Sequence, residues 1–265
     1  MHARGDISND MTKNGEMLIQ SGVLAACQKD LDKDTRFVVF DVGANIGEWS
    51  AAILGQLKGL AIEERVSLFA FEPVPATAAT LRRNLSPDQP GLHIEEVAFS
   101  SASGTAVIYV AGSEANAGTN SLYDDPSSGQ KKALTIKLTC VSEFCEARGI
   151  RHIHLLKCDT EGHDMEVIRG ALRLLQEGRI SVLQFEYNHR WAFSRNFLRD
   201  VFVAIEHLPY KVAKLQSDHV LVFEKWHPEL DRFFEGNYAL IHRDATSWFP
   251  SKSGRFDEFN TVAIK

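Results

Sequence analysis

The chain has 265 residues, enough for one large α/β domain or two small ones and for a substantial buried core. A hydrophobic fraction of 44% and a charged fraction of 24% are those of an ordinary soluble globule. A formal net charge of −6 with no basic stripe argues against a nucleic-acid partner, and no run approaches the roughly 20 apolar residues needed to span a bilayer as a helix.

Residues 1–15 read as a polar lead without the apolar centre of a secretory signal. Met17 to Asp30 has helical spacing, with Met17, Leu18, Val23, Leu24 and Cys27 on one face. Strand-like runs follow at 36–42, 66–72, 92–99, 152–159 and 180–187, and helix-like runs at 47–58, 75–85, 141–148 and 163–176. This alternation predicts a mostly parallel sheet with helices on both faces. The stretch 100–140 breaks the rhythm with two strand-like pieces, 106–110 and 133–139, and a polar loop at 111–131 expected to be mobile. After an aromatic segment, Tyr187–Phe197, a helix is expected to reach His207, and 210–215 with 219–224 read as an antiparallel closing pair. Cys27, Cys140, Cys145 and Cys158 lack metal spacing and are read as reduced thiols of a cytoplasmic protein.

Two motifs carry chemistry. Phe37-Val-Val-Phe-Asp-Val-Gly-Ala-Asn-Ile-Gly47 ends an apolar run in an acid and a glycine-rich turn, and Phe69-Ala-Phe-Glu-Pro73 ends the next in a glutamate. Such a turn passes close beneath a nucleoside, and a carboxylate at the end of the second strand suits the ribose hydroxyls. The turn lacks the middle glycine that lets backbone touch a pyrophosphate. A ribose and adenine cofactor without phosphates, S-adenosylmethionine, therefore fits better than a dinucleotide. The expected cofactor-binding residues are Asp41, Gly43, Ala44, Asn45 and Gly47 of the turn, then Glu72, Pro73 and Ala98.

In the second motif the run Leu155-Leu-Lys-Cys158 ends in Asp159 and Glu161, with Gly162 at the turn and an amphipathic helix beyond; Glu186 ends the run from Ile180. If those strands are neighbours, Asp159 and Glu186 share one crevice. Asp159, Glu161 and Glu186, with His163 and His189 as further candidate bases, form the expected catalytic set. Asp159 and Glu186 are also candidate ligands for Mg²⁺ or another divalent cation, since oxygen-rich ligation suits hard metals. The bland alternative is acids that complement helix dipoles.

At these motifs the chain resembles the FkbM-type methyltransferase family. The resemblance rests on Phe40–Gly47, Ala70–Pro73 with Leu81-Arg-Arg-Asn-Leu85, Leu156–Asp164 through Val167–Ala171, Phe185-Glu186 and Gly236-Asn-Tyr-Ala239, and it covers roughly residues 36–242. Cys158 stands where an isoleucine is more usual in the family. The resemblance implies a Rossmann-like class I methyltransferase fold of the α/β class, S-adenosylmethionine as donor, and O-methylation of a hydroxyl on a sugar or natural product. It implies that Asp41–Gly47 and Glu72 hold the donor and that Asp159 with Glu161 lie at the active site. The expected division is a lead and helix over 1–35, a catalytic domain over 36–242 and a C-terminal extension over 243–265. The expected partner is a small-molecule or carbohydrate acceptor, and a homo-oligomer stays open. The alternatives are an NAD(P)-dependent oxidoreductase, which the missing glycine disfavours, and a catalytically silent nucleoside-cofactor-binding protein. A base methyltransferase acting on nucleic acid would often carry an Asn/Asp-Pro-Pro-aromatic tetrapeptide, and the chain has none.

Overall fold

The central apolar runs lack polar alternation because both faces of their strands are covered. The computed structural model describes residues 10–30, 35–85, 89–111, 120–124 and 130–264. Strand β1 (Phe37–Val42) pairs in parallel with β2 (Val66–Phe71) on one side, and β2 continues to β3 (Leu92–Glu95). On the other side β1 pairs in parallel with β7 (Ile153–Cys158), and β7 with β8 (Ile180–Tyr187). Next to β8 the chain inserts β11 (Gly236–His242), antiparallel to both β8 and β9 (Tyr210–Leu215). The sheet then runs through β10 (Val220–Phe223), β12 (Ser251–Phe256) and β13 (Val262–Ile264).

Register decides what each face buries. Val39, Leu155 and Val182 lie side by side and face α1 (Glu16–Lys29) and α2 (Glu48–Leu60). Phe40, Leu156 and Leu183, one residue on, face the layer of α4 (Val141–Ala147), α5 (Asp164–Gln176) and α6 (Leu198–Ala204). Helix α3 (Pro75–Leu85) packs Leu81 and Leu85 against Ala44 and Ala70. The tail closes onto α1: a Cβ on Gly22 would stand 2.4 Å from Phe249 Cε1. Thus α1 and residues 243–264 belong to the same layered body as the central strands.

Three local expectations change. The run 92–99 divides: β3 stays in the main sheet, while Ala98–Phe99 becomes β4 of a second sheet, pairing with β6 (Gln130–Thr139), itself antiparallel to β5 (Gly104–Ala111). The strand β11 was not expected, because Gly236-Asn-Tyr-Ala-Leu-Ile-His acquires its strand character from the two neighbours it joins. The helix expected to follow the aromatic segment and reach His207 is α6, which ends at Ala204, and the aromatic segment itself holds a 3₁₀ turn at His189–Ala192. Residues 112–119 and 125–129 of the expected mobile loop lie outside the described residues. All four cysteines are free and buried. No helix among the described residues is long and apolar enough to cross a membrane.

The small sheet meets the main body at Gly170 of α5, where a Cβ would lie 2.2 Å from the Ser100 carbonyl oxygen. Gly170→Ala gains about 1 kcal/mol of helix propensity. Against that, separating a helix from a backbone carbonyl is overpacking, which costs about 1–3 kcal/mol. The expected net result is a lower urea midpoint than wild type; an equal or higher midpoint would show that the small sheet rides loosely on α5.

Candidate active site

One polar row crosses the otherwise apolar sheet just below its carboxyl ends. Asp41 of β1, Lys157 of β7 and Gln184 of β8 are register partners, so their side chains leave the same face. All three are buried. Lys157 Nζ lies 3.4 Å from Asp41 Oδ1 and 3.3 Å from Asp159 Oδ2. Ser50 Oγ, on α2, donates to Asp41 Oδ2 at 2.6 Å. From α1, Glu16 accepts from Gln184 Nε2 at 2.9 Å and from Asn14 Nδ2 at 2.8 Å. Burial would push the Lys157 ammonium down, but Asp159, Asp41 and Glu16 together outweigh it and hold the group charged. Burial pushes Glu16 up, with Lys157 opposing.

Above this row sits the glycine turn. Gly43 has φ 80°, and a Cβ there would lie 1.9 Å from the Asp159 carbonyl oxygen, so only glycine lets the two strand ends meet. Asn45 takes the left-handed conformation at φ 48°, which asparagine tolerates. The Gly43 and Ala44 amides donate to the Phe71 carbonyl, tying the turn to β2. Glu72 closes the corner: its carboxylate accepts from the Asn45 amide at 3.1 Å and the Val74 amide at 2.9 Å. Burial raises Glu72 to about 7 against the pull of those two amides. Gly47 caps α2 from a left-handed conformation and packs under Leu81 and Leu85.

A cleft of about 710 Å³, open mouth included, lies over the turn. Its apolar walls are Val42, Phe71, Val97, Phe99, Ile108 and Leu122; its polar groups are Asn45, Glu72, Asp159, Thr160, Glu161 and His163. Pro73 and Ala98 also line it. Asp41 has no exposed surface and supports the turn from beneath.

Asp159 and Glu186 follow directly on the paired residues Cys158 and Phe185. Asp159, just past β7, therefore stands beside Glu186, the penultimate residue of β8, on the same side of the sheet. The side chain of Asp159 is 37% exposed, whereas Glu161 is largely enclosed and its Oε2 meets Arg190 Nη1 at 2.5 Å. Burial and the Asp159 charge outweigh Arg190 and raise Glu161 to about 8. Burial first, then Asp159 and Glu161, raises Glu186 well above the usual carboxylate range, and its Oε2 accepts from Asn188 Nδ2 at 2.6 Å. Asp164, fully buried at the start of α5, is raised to about 7 by burial and Asp159. The site is thus short of positive charge.

The two histidines separate. His163 lines the cleft, but both ring nitrogens are engaged, Nδ1 with Tyr123 Oη at 2.9 Å and Nε2 with Ser100 Oγ at 3.0 Å. Burial lowers it to about 4, so it is a neutral strut without a free nitrogen for base work. His189 is exposed and does not line the cleft. Among the described residues no three His, Cys, Asp or Glu side chains converge as metal ligands. Sequence reasoning missed Glu16, Lys157 and Arg190; only Lys157 carried a signal, as a cation inside an apolar strand run.

A phosphate-free nucleoside with a cationic centre suits this lining. The apolar slot is lined on both sides by aliphatic and aromatic side chains, Glu72 keeps lone pairs beyond those given to its two amides, and carboxylates outnumber cations around the cleft. The order of the central strands, β3-β2-β1-β7-β8-β11-β9 with β11 antiparallel, is that of the class I methyltransferase fold. The Methyltransferase FkbM domain family matches residues 41–216, and the chain belongs to that family. A curated relative, the hexuronic acid methyltransferase AglP of Haloferax volcanii, is 30% identical over 148 residues. That match covers 56% of this chain and 55% of AglP, so the chain spans about half the length of this relative. Among solved structures, the DszA carbon methyltransferase is similar over 86% of this chain and 53% of its own, at 12% identity and a TM-score of 0.48. An O-methyltransferase of Thermotoga maritima is similar over 83% of this chain and 64% of its own, at 10% identity and a TM-score of 0.39.

Replacing Lys157 with Met leaves buried carboxylates without their cation. Breaking such a pair costs about 3–5 kcal/mol. The variant's carboxylates then take up protons more readily when folded than when unfolded, so its stability falls as pH rises. In urea denaturation the deficit against wild type should therefore be smaller at pH 5 than at pH 8; a deficit independent of pH would remove the charge argument.

Proposed function

We propose that this methyltransferase acts on a hydroxyl group of a sugar or a sugar-like natural product. The observation that carries this is the juxtaposition of the glycine turn and Glu72 with Asp159, all lining one cleft at the carboxyl ends of adjacent strands. Glu72, Asn45 and the apolar slot hold the nucleoside of the donor. When bound, S-adenosylmethionine would supply an electrophilic methyl, which the acceptor oxygen attacks in line with the C–S bond so that the neutral thioether leaves.

Asp159 receives the hydroxyl proton as the new O–C bond forms. It is partly exposed, and its Oδ2 is already steadied by Lys157. Glu161 and Glu186, both raised by burial and by neighbouring acids, hydrogen-bond the other oxygens of the acceptor. This division of labour follows the general rule that environments push neighbouring acids apart in pKa. A polyhydroxylated acceptor offers the several oxygens that such a set requires. The name of the relative AglP, a hexuronic acid methyltransferase, supports the carbohydrate class.

Asp159→Asn keeps shape and removes the proton acceptor, so turnover should fall about 10²–10⁴-fold with donor affinity little changed. Wild-type turnover in both Asp159→Asn and Glu186→Gln would overturn the assignment. Turnover that survives a chelator fits the direct route, whereas loss that Mg²⁺ restores would move these acids to a metal-holding role.

Glu72 gives a pH signature. Its ionised form is the better acceptor for ribose hydroxyls, and in the empty site it is half-protonated at about pH 7. Affinity for S-adenosylhomocysteine, measured by calorimetry, should fall as pH drops from 8 to 6, with proton release on binding. Glu72→Gln should lose about 1.5–3 kcal/mol and flatten that pH dependence. Unchanged affinity in the variant removes Glu72 from the donor site.

A further inference from the structure

Four of the six large apolar side chains left exposed among the described residues lie on two neighbouring segments. Phe193, Phe197 and Val203 belong to the chain that runs from the 3₁₀ turn through α6, and Phe234 precedes β11. The two segments are fastened together. Phe197 packs on Phe233 with ring centroids 5.8 Å apart, and the Arg199 guanidinium lies 5.6 Å from the centre of the Trp226 ring. Asp231 accepts from the Leu198 amide at 2.6 Å and the Arg199 amide at 3.2 Å. Cations are interleaved with the rings. Arg195, Arg199 and Lys225 are exposed, and none of the three forms an ion pair among the described residues. The acids between them are engaged: Asp231 also by Tyr187 and Trp226, Asp200 by the Phe197 amide at 2.8 Å, Glu224 by Lys211 and Glu229 by Arg232. Glu206, past the end of α6, stays exposed.

The spacing in α6 forms the centre of this face. Leu198 and Val201 turn to the core, which leaves Arg199 and Val203, one helical turn apart, side by side on the outer surface. Apolar groups gathered on a surface mark a place where something docks. The centre of a protein–protein interface is depleted of charge, whereas here a cation stands two residues from each exposed ring: Arg195 from Phe193 and Phe197, and Arg232 from Phe234. That mixture suits the headgroup layer of a bilayer, where rings enter the acyl boundary while arginine and lysine stems lie along it and set their charges on phosphates. Charge also selects the orientation. The chain as a whole carries −6, so an anionic surface repels most of its faces and attracts this one. We propose that this face binds the surface of an anionic lipid bilayer, with Phe193, Phe197 and Val203 entering the headgroup boundary and Arg195, Arg199 and Lys225 meeting lipid phosphates. The proposal is independent of the acceptor reading above. The docked face adjoins the cleft, since Arg190, three residues before Phe193, pairs with Glu161.

Co-sedimentation of the full chain with lipid vesicles tests it. Binding is expected on phosphatidylcholine containing about 30% phosphatidylglycerol, with little on phosphatidylcholine alone, and it should weaken as salt rises from about 0.05 M to about 0.5 M. Arg195→Gln combined with Arg199→Gln removes two cations and should weaken partitioning about 10- to 30-fold. Phe193→Ser combined with Phe197→Ser leaves the charge unchanged and should weaken it about 10-fold. Lys29→Gln combined with Lys58→Gln removes the same charge from α1 and α2, across the sheet, and should bind as wild type does. All these positions are exposed, so melting temperatures should match wild type, and either pair on the proposed face carries the test if the other does not fold. Wild-type protein that stays in solution with both vesicles overturns the proposal. So does wild-type binding by the folded arginine or phenylalanine pair, or a loss in the Lys29 and Lys58 variant equal to that in the arginine pair. A wild-type dimer in sedimentation velocity that the phenylalanine pair dissolves would assign the face to a second copy of the chain and overturn the proposal as well.

Discussion

The buried ammonium of Lys157 is the constraint on which the site depends. A charge placed inside a sheet is costly unless it is paired, and here the pairing determines geometry. Asp41 and Lys157 are register partners on adjacent strands, and Asp159 follows two residues later on the same face. A one-residue slip between β1 and β7 would turn Asp41 and Lys157 to opposite faces and bury both without a partner. The ion pair thus opposes register errors at the place where the two halves of the cleft must meet. Gln184 and Glu16 extend the same row to β8 and α1, which brings the N-terminal helix under the same constraint.

Close packing then carries this register to the surface. Gly43 meets the Asp159 carbonyl so closely that no side chain fits, and the Phe71 carbonyl receives the amides of Gly43 and Ala44. The turn cannot shift without moving the ends of β1, β2 and β7 together. A site built on strand ends fixed in this way is preorganised: Glu72, the glycine turn and Asp159 keep one spacing before any ligand arrives. The small sheet closes the remaining side through Ala98, Phe99 and Ile108, and Ser121 ties the intervening segment down by donating to the Glu161 carbonyl at 2.8 Å.

Much of this was legible in the sequence because it is local. Period and punctuation gave the central strands and helices to within a residue or two, and the glycine turn, Glu72 and the acids after β7 and β8 stand at strand ends that the apolar runs define. What stayed hidden depends on pairing across the chain. Strand β11 is recognisable only from its two neighbours, and the division of 92–99 only from β6. Glu16 is an unremarked acid in an amphipathic helix until α1 is laid over β8. His163 is a candidate base in the sequence and a strut in the fold, because Ser100 and Tyr123 reach it from segments 63 and 40 residues away. Even Lys157, visible as an oddity in its run, has a meaning only once Asp41 is beside it.

Charge also distinguishes among the ligands a nucleoside fold can take. A dinucleotide would bring a pyrophosphate into a crevice where Asp41, Asp159, Glu16, Glu161 and Glu186 already outnumber Lys157 and Arg190. The carboxylates register that excess themselves, since Glu161 and Glu186 are both pushed upward by neighbouring acids as well as by burial. Two more negative charges would deepen the conflict, and the turn has no middle glycine to offer backbone amides in return. A sulfonium relieves it. The same field would help the spent donor leave, because a sulfonium beside carboxylates is held more strongly than the neutral thioether left after transfer. The acids that stand ready for the acceptor therefore also bias the site toward the unreacted donor and against its spent form.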